Sequence, residues 1–339
     1  MSANLFRTDI SLQPYNTFGV EARAAFFLEV ADEESLHKAL SAGLLHHRPL
    51  LILGSGSNIL FTRDYTGTVL HNRLQGIRVL REDAEEVTVR AASGEVWDDL
   101  VRFAVLQRWY GAENLSLIPG TVGAAAVQNI GAYGAEVQDL IVAVEGVDMQ
   151  SGEKKVFPAG ACRFGYRDSI FKHMPPGTFF ITQVTFRFSK KHRLNLSYPA
   201  LREALQGVKE PDLPAVREAV IRIRRSKLPD PAETGNAGSF FKNPVTGKAQ
   251  LDKLRREYPA IPFHPAKAGK YKIPAAWLIE QSGMKGIQEG HCGTWPRQPL
   301  VIVSDGKAAG TEIDRFAEKI AATVKEKFNI LLDREVITL

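Results

Sequence analysis

The decapeptide Gly235–Pro244, Gly-Asn-Ala-Gly-Ser-Phe-Phe-Lys-Asn-Pro, places a hydroxyl, a cation and an amide within five residues: Ser239, Lys242 and Asn243. Gly235 and Gly238 permit a left-handed backbone and close approach of another group. Phe240 and Phe241 are suited to excluding water from Ser239. A hydroxyl in a dry, preorganised site is a better placed proton donor than one in water, because its partners need not reorient first. Lys242 and Asn243 add donors suited to anionic or polar ligand groups, and Lys242 is a candidate for favouring the ionised form of Ser239. The plainer alternative is a glycine-rich turn entering a strand, with both phenylalanines in the core.

Two further stretches point to a ligand. Gly54-Ser55-Gly56-Ser57-Asn58 follows the short apolar strand Pro49–Leu53. Its third glycine position is Ile59 and no amphipathic helix follows, so the dinucleotide fingerprint fails on context. No Gly-Lys-Ser/Thr follows either, so it is not a P-loop. An anion nest of convergent amides and a tight turn both remain open. Leu117–Gly134 holds four glycines and four alanines in eighteen residues. Such a run allows backbone to lie flat against a planar cofactor or against another segment, and its length and apolarity favour the cofactor.

The elements that must position these groups follow from pattern. Ala24–Val30 reads as a strand, and Asp32 as the cap of a helix over Glu33–Ala42. Ile77–Leu80 and Val87–Ala91 read as strands. Glu95–Gln107 reads as an amphipathic helix with Val96, Leu100, Phe103, Ala104 and Gln107 on one face. Leu140–Met149 and Lys154–Phe157 flank a turn at Gln150–Glu153 as a hairpin, and Phe179–Phe188 alternates as a strand. Asp212 caps a helix over Pro214–Arg225 with Pro214 at its first position. Lys227–Pro231 then reads as a domain boundary. Ala275–Gln281 and Thr311–Phe328 are predicted helices, Leu300–Ser304 a buried strand, and Asn329–Leu339 a final strand holding Glu335.

Composition bounds the rest. The 339 residues are 44% hydrophobic and 24% charged, as in a soluble globular chain of two or three domains. No run of eighteen apolar residues predicts a membrane helix, and Met1–Asp9 lacks the pattern of a secretory signal. Cys162 and Cys292 lie far apart, form no metal-type pair and suit a reducing cytoplasm as structural residues; no metal site is expected. The net charge of +5 favours anionic ligands. The basic run Arg217, Arg222, Arg224, Arg225 and Lys227 reads as a solvated helix face, since no aromatics interleave it as single-strand binders require.

Taken in order, Asn16–Gly19, Leu53–Asn58, Ile118–Gly134, Phe164–Lys172, Lys227–Pro231, Gly235–Pro244 and Glu335-Val336 resemble the UDP-N-acetylenolpyruvoylglucosamine reductase family, over nearly the whole chain. The tyrosine segment around Tyr198 resembles the longer of that family's two types. The resemblance implies an α+β chain with the FAD-binding fold of the vanillyl-alcohol oxidase class. It implies FAD-binding domains at 1–72 and 73–228, a substrate-binding domain at 229–328, and a terminal strand, 329–339, carrying Glu335. It implies FAD and NADPH as cofactors and a small sugar nucleotide as substrate, in peptidoglycan precursor synthesis in the cytoplasm. Neither nucleic acid nor membrane is expected as a partner, and a monomer is expected.

The family chemistry reduces an enolpyruvyl ether to a lactyl ether, with hydride passing from NADPH through FAD to C3 and a proton to C2. By resemblance Ser239 is the proton donor, while Arg167 and Glu335 hold the substrate carboxylate and stabilise the enolic intermediate. Glu335 must then be protonated, or hydrogen-bonded through a proton, to help rather than repel, so a raised pKa is expected of it. Gly54, Ser55, Gly56, Ser57 and Asn58 would contact the FAD diphosphate. Pro119, Gly120, Thr121, Gly123, Gln128, Asn129, Ile130, Gly131 and Tyr133 would lie along the flavin and its diphosphate arm. Tyr166, Tyr198, Lys227, Asn243 and Gln298 match substrate-binding positions. The family pattern is departed from at His291–Arg297 and at Ala124-Ala125-Ala126, where small polar residues are common.

Each of these residues has a plainer alternative: Arg167 and Asp168 as a surface ion pair, Glu335 as an exposed terminal carboxylate, Lys227 as the basic end of a helix. Two other functions compete. Another flavin oxidase of the same fold has no reason to carry Ser239, Arg167 and Glu335 together. A basic nucleic-acid-binding protein predicts steeply salt-dependent binding and a colourless preparation.

Overall fold

The computed structural model describes residues 6–43, 45 and 49–339; Met1–Leu5, within the stretch read for a signal, lie outside the described residues. The chain forms two compact units. The first holds the described residues up to Ile10, Ala24–Gly56 and Tyr65–Arg225; the second holds Ser11–Arg23, Ser57–Asp64 and Ser226–Leu339.

In the first unit, Arg23–Val30 and Leu50–Leu53 pair in parallel with Tyr65–Asn72 between them. The helix Glu33–Ser41 begins where the Asp32 carboxylate accepts from the Ser35 amide at 2.6 Å, a cap worth about 1 kcal/mol. A five-stranded antiparallel sheet runs in the order Lys154–Pro158, Ile141–Asp148, Phe179–Ser189, Glu86–Ala92 and Ile77–Glu82. The predicted hairpin is its outer pair.

The helix Trp97–Leu106 covers this sheet, but its buried face differs from the one expected. Trp97, Leu100, Val101, Ala104 and Val105 point inward. Val96 is an extended residue before the first turn, 46% exposed, and Gln107 follows the last. The helix starts two residues later than expected, and its buried stripe is turned by roughly 100° about the axis, so that Trp97 takes the core position.

The small-residue run is not an extended cradle. Val122–Gln128 within it is a helix, capped by Thr121 and ending at Asn129 in the left-handed region. A Cβ on Gly123 would lie 2.9 Å from Ser93 Cβ. Part of the run's smallness therefore serves packing, the alternative left open by the sequence.

The helix Leu213–Lys227 has Asp212 accepting from Ala215 at 2.9 Å. Pro214 is its second residue rather than its first.

The second unit has a four-stranded sheet in the order Gly235–Ser239, Gln298–Ser304, Cys292–Trp295 and Gln288–Glu289. Helix Gly310–Phe328 buries Ile313, Phe316, Ala317, Ile320, Val324 and Phe328, an i, i+3, i+4, i+7 stripe. Each large apolar side chain so buried contributes about 1.5–3 kcal/mol. Asn329, left-handed at φ 53°, terminates the helix. Ala275–Gln281 is helical as expected. Asn329–Leu339 is mostly irregular, and only Ile337–Thr338 is a strand, parallel to Ile59–Leu60. Ile330, Leu332 and Val336 anchor it in the core instead.

Candidate active site

Ser239 closes the strand Gly235–Ser239. A bulge separates its pairing with Val301 from that of Asn236 with Val303. Asn236 builds the bulge: its side chain accepts from the Gly238 amide at 3.0 Å and donates to the Thr234 carbonyl at 2.8 Å. Gly238 sits at φ +68°, where a side chain would be strained. Gly235 is constrained by proximity, because a Cβ there would lie 2.3 Å from the Phe18 carbonyl oxygen. The Asn236 amide also donates to Thr17 O. The Asn16–Gly19 turn is thus the bed on which the Ser239 strand lies.

Phe240 and Phe241 are both fully buried, with rings 5.2 Å apart. The plainer reading of this stretch holds: it is a strand with both phenylalanines in the core, and Ser239 lies at its end. The Ser239 hydroxyl is partly exposed and makes no hydrogen bond among the described residues. No contact between Lys242 and Ser239 is found among them; the Lys242 amide donates to Asp333 O at 2.8 Å. Lys242 therefore does not act on Ser239 by direct hydrogen bonding here.

Glu335 is held beside this strand. Its amide donates to Phe240 O at 2.8 Å, and its carbonyl accepts from Asn58 Nδ2 at 3.1 Å. Phe241 and Arg334 form a further bridge. Phe240, which follows Ser239, and Asn58 are therefore both tied to the main chain of Glu335, from three distant stretches of sequence. Ser57 belongs to this unit as well. Asn243 accepts from the Ala275 amide at 2.8 Å, anchoring the start of that helix. In the hairpin pair Trp295–Gln298, Gln298 Oε1 and Trp295 Nε1 are buried without a partner among the described residues. Lys227 is exposed.

In the first unit, Arg167 lies at the tip of a tight turn closed by Gly165 and Asp168, whose amides and carbonyls pair at 2.9 and 3.1 Å. Its φ is +54°, a conformation costing about 1 kcal/mol for a non-glycine residue. Arg167 Nη2 donates to Gly131 O at 2.6 Å, and the guanidinium sits 5.4 Å from the Tyr166 ring centre. Lys172 Nζ ties Arg167 O at 3.1 Å to Gln128 Oε1 at 3.0 Å. Asp168 pairs with His173.

Asn129 is fully buried, and its side chain bonds Gly165 O, Glu136 Oε2 and the Gln138 amide. Its side chain is thus committed to the protein, joining Gln128–Gly131 to the Arg167 turn. Ile130 and Gly131 follow, partly exposed.

A network the sequence did not reveal fixes the segment before Pro119. Arg217 grips Asp98 through two bonds of 2.7 Å. Asp98 accepts from the Leu117 amide at 2.6 Å, and Arg224 Nε donates to Leu117 O at 3.1 Å. Leu117 is left-handed at φ +59°. Burial works to raise the Asp98 pKa, but Arg217 and the Leu117 amide outweigh it and hold the carboxyl below its ordinary value. Burial pushes the Arg224 guanidinium down, opposed by Tyr133 and Asp98; burial likewise pushes the Tyr133 phenol up. Arg217 and Arg224 therefore depart from the expected solvated face, while Arg222, Arg225 and Lys227 are exposed. Their seven-residue spacing was the available signal.

Gly54 meets Thr121: a Cβ on Gly54 would lie 2.8 Å from Thr121 Oγ1. The amides of Gly54 and Ser55 have no hydrogen-bond partner among the described residues. The Val122 and Gly123 amides are already used by Glu95 O and Ser93 O. Pro119 and Gly120 are at least partly exposed. Unpaired glycine-loop amides beside small, exposed residues fit a diphosphate, and so fit FAD.

Cys162 and Cys292 are buried free thiols, each pushed by burial to about 11. No group of three His, Cys, Asp or Glu side chains able to hold a metal occurs among the described residues. No described helix is long and apolar enough to cross a membrane.

Comparison with known proteins agrees with this geometry. Residues 24–156 match the family of FAD binding domains, and residues 230–339 match the C-terminal domain of UDP-N-acetylenolpyruvoylglucosamine reductase. The reductase of that name from Chromobacterium violaceum is 48% identical over 337 residues, covering 98% of this chain and 99% of that protein. The chain belongs to this family. The Bacteroides fragilis reductase is 45% identical, over 96% of this chain and 98% of its own length. The crystal structure of the Thermus caldophilus reductase superposes with a TM-score of 0.68 at 24% identity, covering 98% of this chain and 99% of that one, which shows the shared fold. The fold is an α+β FAD-binding fold, and the chain is an FAD-dependent oxidoreductase.

Proposed function

We propose that the chain reduces UDP-N-acetylglucosamine enolpyruvate to UDP-N-acetylmuramate, with NADPH as reductant, in cytoplasmic peptidoglycan precursor synthesis. The observation that carries this reading is the Ser239 hydroxyl, unengaged by described residues at a built bulge, one residue before the carbonyl that holds Glu335. FAD, when bound, supplies hydride transfer between NADPH and C3 of the enolpyruvyl group. Residues 1–72 and 73–228 supply the FAD-binding parts, although 11–23 and 57–64 pack within the second unit. Residues 229–328 bind the substrate, and 329–339 carry Glu335.

Ser239 donates the proton to C2. Arg167 pairs with the substrate carboxylate as charge moves onto its oxygens, and its strained, anchored turn preorganises the guanidinium for this. Glu335, protonated, donates a hydrogen bond to the same enolic group. Gly54–Asn58 and Pro119–Tyr133 hold the cofactor. Tyr166, Tyr198, Lys227, Asn243 and Gln298 bind the sugar nucleotide, Lys227 and Tyr198 at its diphosphate.

An anaerobic two-stage absorption titration tests the proposal. NADPH is expected to bleach the yellow protein, and the enolpyruvyl sugar nucleotide to restore its colour. Bleaching without recovery would overturn the substrate assignment; a protein colourless after FAD addition would overturn the flavin reading.

A further inference from the structure

We propose that Asn114 is a positioning residue that latches the Tyr198 segment against Tyr133, so that Tyr198 is presented to the diphosphate of the sugar nucleotide. The inference rests on the substrate role assigned to Tyr198 above.

Asn114 is 1% exposed and carries no role in the chemistry. Its Nδ2 donates to two main-chain carbonyls, Tyr133 O and Asn195 O, both at 2.8 Å. One side-chain amide thereby ties two segments far apart in sequence, each bearing a site tyrosine. Its Oδ1 is buried without a partner among the described residues. Turning the amide over would set that oxygen against two carbonyl oxygens, so its orientation is dictated by the acceptors.

The far side of the latch is equally specific. Asn195 Nδ2 donates to Gly134 O at 2.9 Å. Asn195 Oδ1 accepts from the Ser197 amide at 3.1 Å and from its hydroxyl at 2.6 Å. The next residue is Tyr198, whose ring meets Tyr133 edge-on with centroids 5.2 Å apart. Tyr198 is 41% exposed. Its burial is too slight to hold it alone, and hydrogen bonds to the preceding residues supply the restraint. Tyr133 also lies near Arg224, whose charge opposes the effect of burial on its phenol. The path from Asn114 to Tyr198 is therefore a continuous set of bonds with a rigid base and an exposed tip. Such a segment opens locally at low free energy, and each bond removed favours the open form.

The test uses FAD-loaded protein and two variants, Asn114→Ala at the buried base and Asn195→Ala on the exposed side, where folding is not at risk. Hydrogen exchange of the 193–198 amides is followed with NADPH-driven flavin reduction and the KM for the enolpyruvyl sugar nucleotide. Exchange in this segment is expected to quicken about tenfold and the KM to rise about tenfold, with flavin reduction within about twofold of wild type. Unchanged exchange in both variants would overturn the latch. Faster exchange with unchanged KM, while Tyr198→Phe raises KM, would overturn its positioning role. An unchanged KM in Tyr198→Phe would overturn the substrate role of Tyr198, and faster exchange in the latch variants would locate that failure in function rather than in the latch.

Discussion

The amide of Glu335 donates to the carbonyl oxygen of Phe240 at 2.8 Å, binding the C-terminal segment to the residue that follows Ser239. Asn58 Nδ2 secures the Glu335 carbonyl from the other side at 3.1 Å. The main chains of the two residues assigned to the proton and the enolic oxygen are thus fixed in adjoining segments.

Asn58→Ala removes one of these two restraints. The expected outcome is a stability loss of about 1 kcal/mol, together with a slower reoxidation of reduced protein by the enolpyruvyl sugar nucleotide. Urea unfolding and stopped-flow absorption check the two effects. Unchanged reoxidation would show that the Glu335 main chain needs no support from Asn58.

Gly235→Ala places a methyl group 2.3 Å from the Phe18 carbonyl oxygen. Main chain cannot yield as a flexible side chain would, so a cost of about 1–3 kcal/mol is expected. A thermal melt of the variant reads this directly, and a melting temperature equal to wild type would contradict the packing described.

The course of the chain around Ser239 shows what a sequence can and cannot disclose. The Asp32 cap, the Ala275–Gln281 helix and the hairpin at Gln150–Glu153 follow from local pattern, because the groups that decide them lie within a few residues. Ser239 stands out by the residue types around it, whereas Arg167 and Glu335 are marked in the sequence only by motif resemblance. The reason Gly235 must be glycine was not legible, since its partner Phe18 comes from a distant turn. Arg217 and Arg224 were misread as solvated because the acceptors that draw them inward, Asp98 and Leu117 O, belong to other elements. Asn114 gave no local signal at all.

The Asp98–Arg217 pair predicts a pH signature. The folded Asp98 pKa is lowered, so its contribution is present above the unfolded carboxyl value and is lost as pH falls through the folded one. Asp98→Asn is expected to cost on the order of 3 kcal/mol near neutrality by leaving Arg217 half-buried and unpaired. The gap to wild type should narrow below about pH 4. Melting curves from pH 7 to pH 3 check this; a constant gap would contradict it.

Arg167→Gly separates stability from function. Glycine relieves the φ of +54° while losing the bond to Gly131 O. A melting temperature within a few degrees of wild type is expected, with turnover reduced about 10²–10³-fold. Retained turnover in steady-state NADPH oxidation would remove Arg167 from the catalytic assignment.

The central claim is that Ser239 delivers the proton to C2. Anaerobic stopped-flow absorption of Ser239→Ala tests it by observing the two half-reactions separately. The account predicts flavin reduction by NADPH at the wild-type rate, and reoxidation by the enolpyruvyl sugar nucleotide slowed about 10²–10⁴-fold. Reoxidation at the wild-type rate would contradict it.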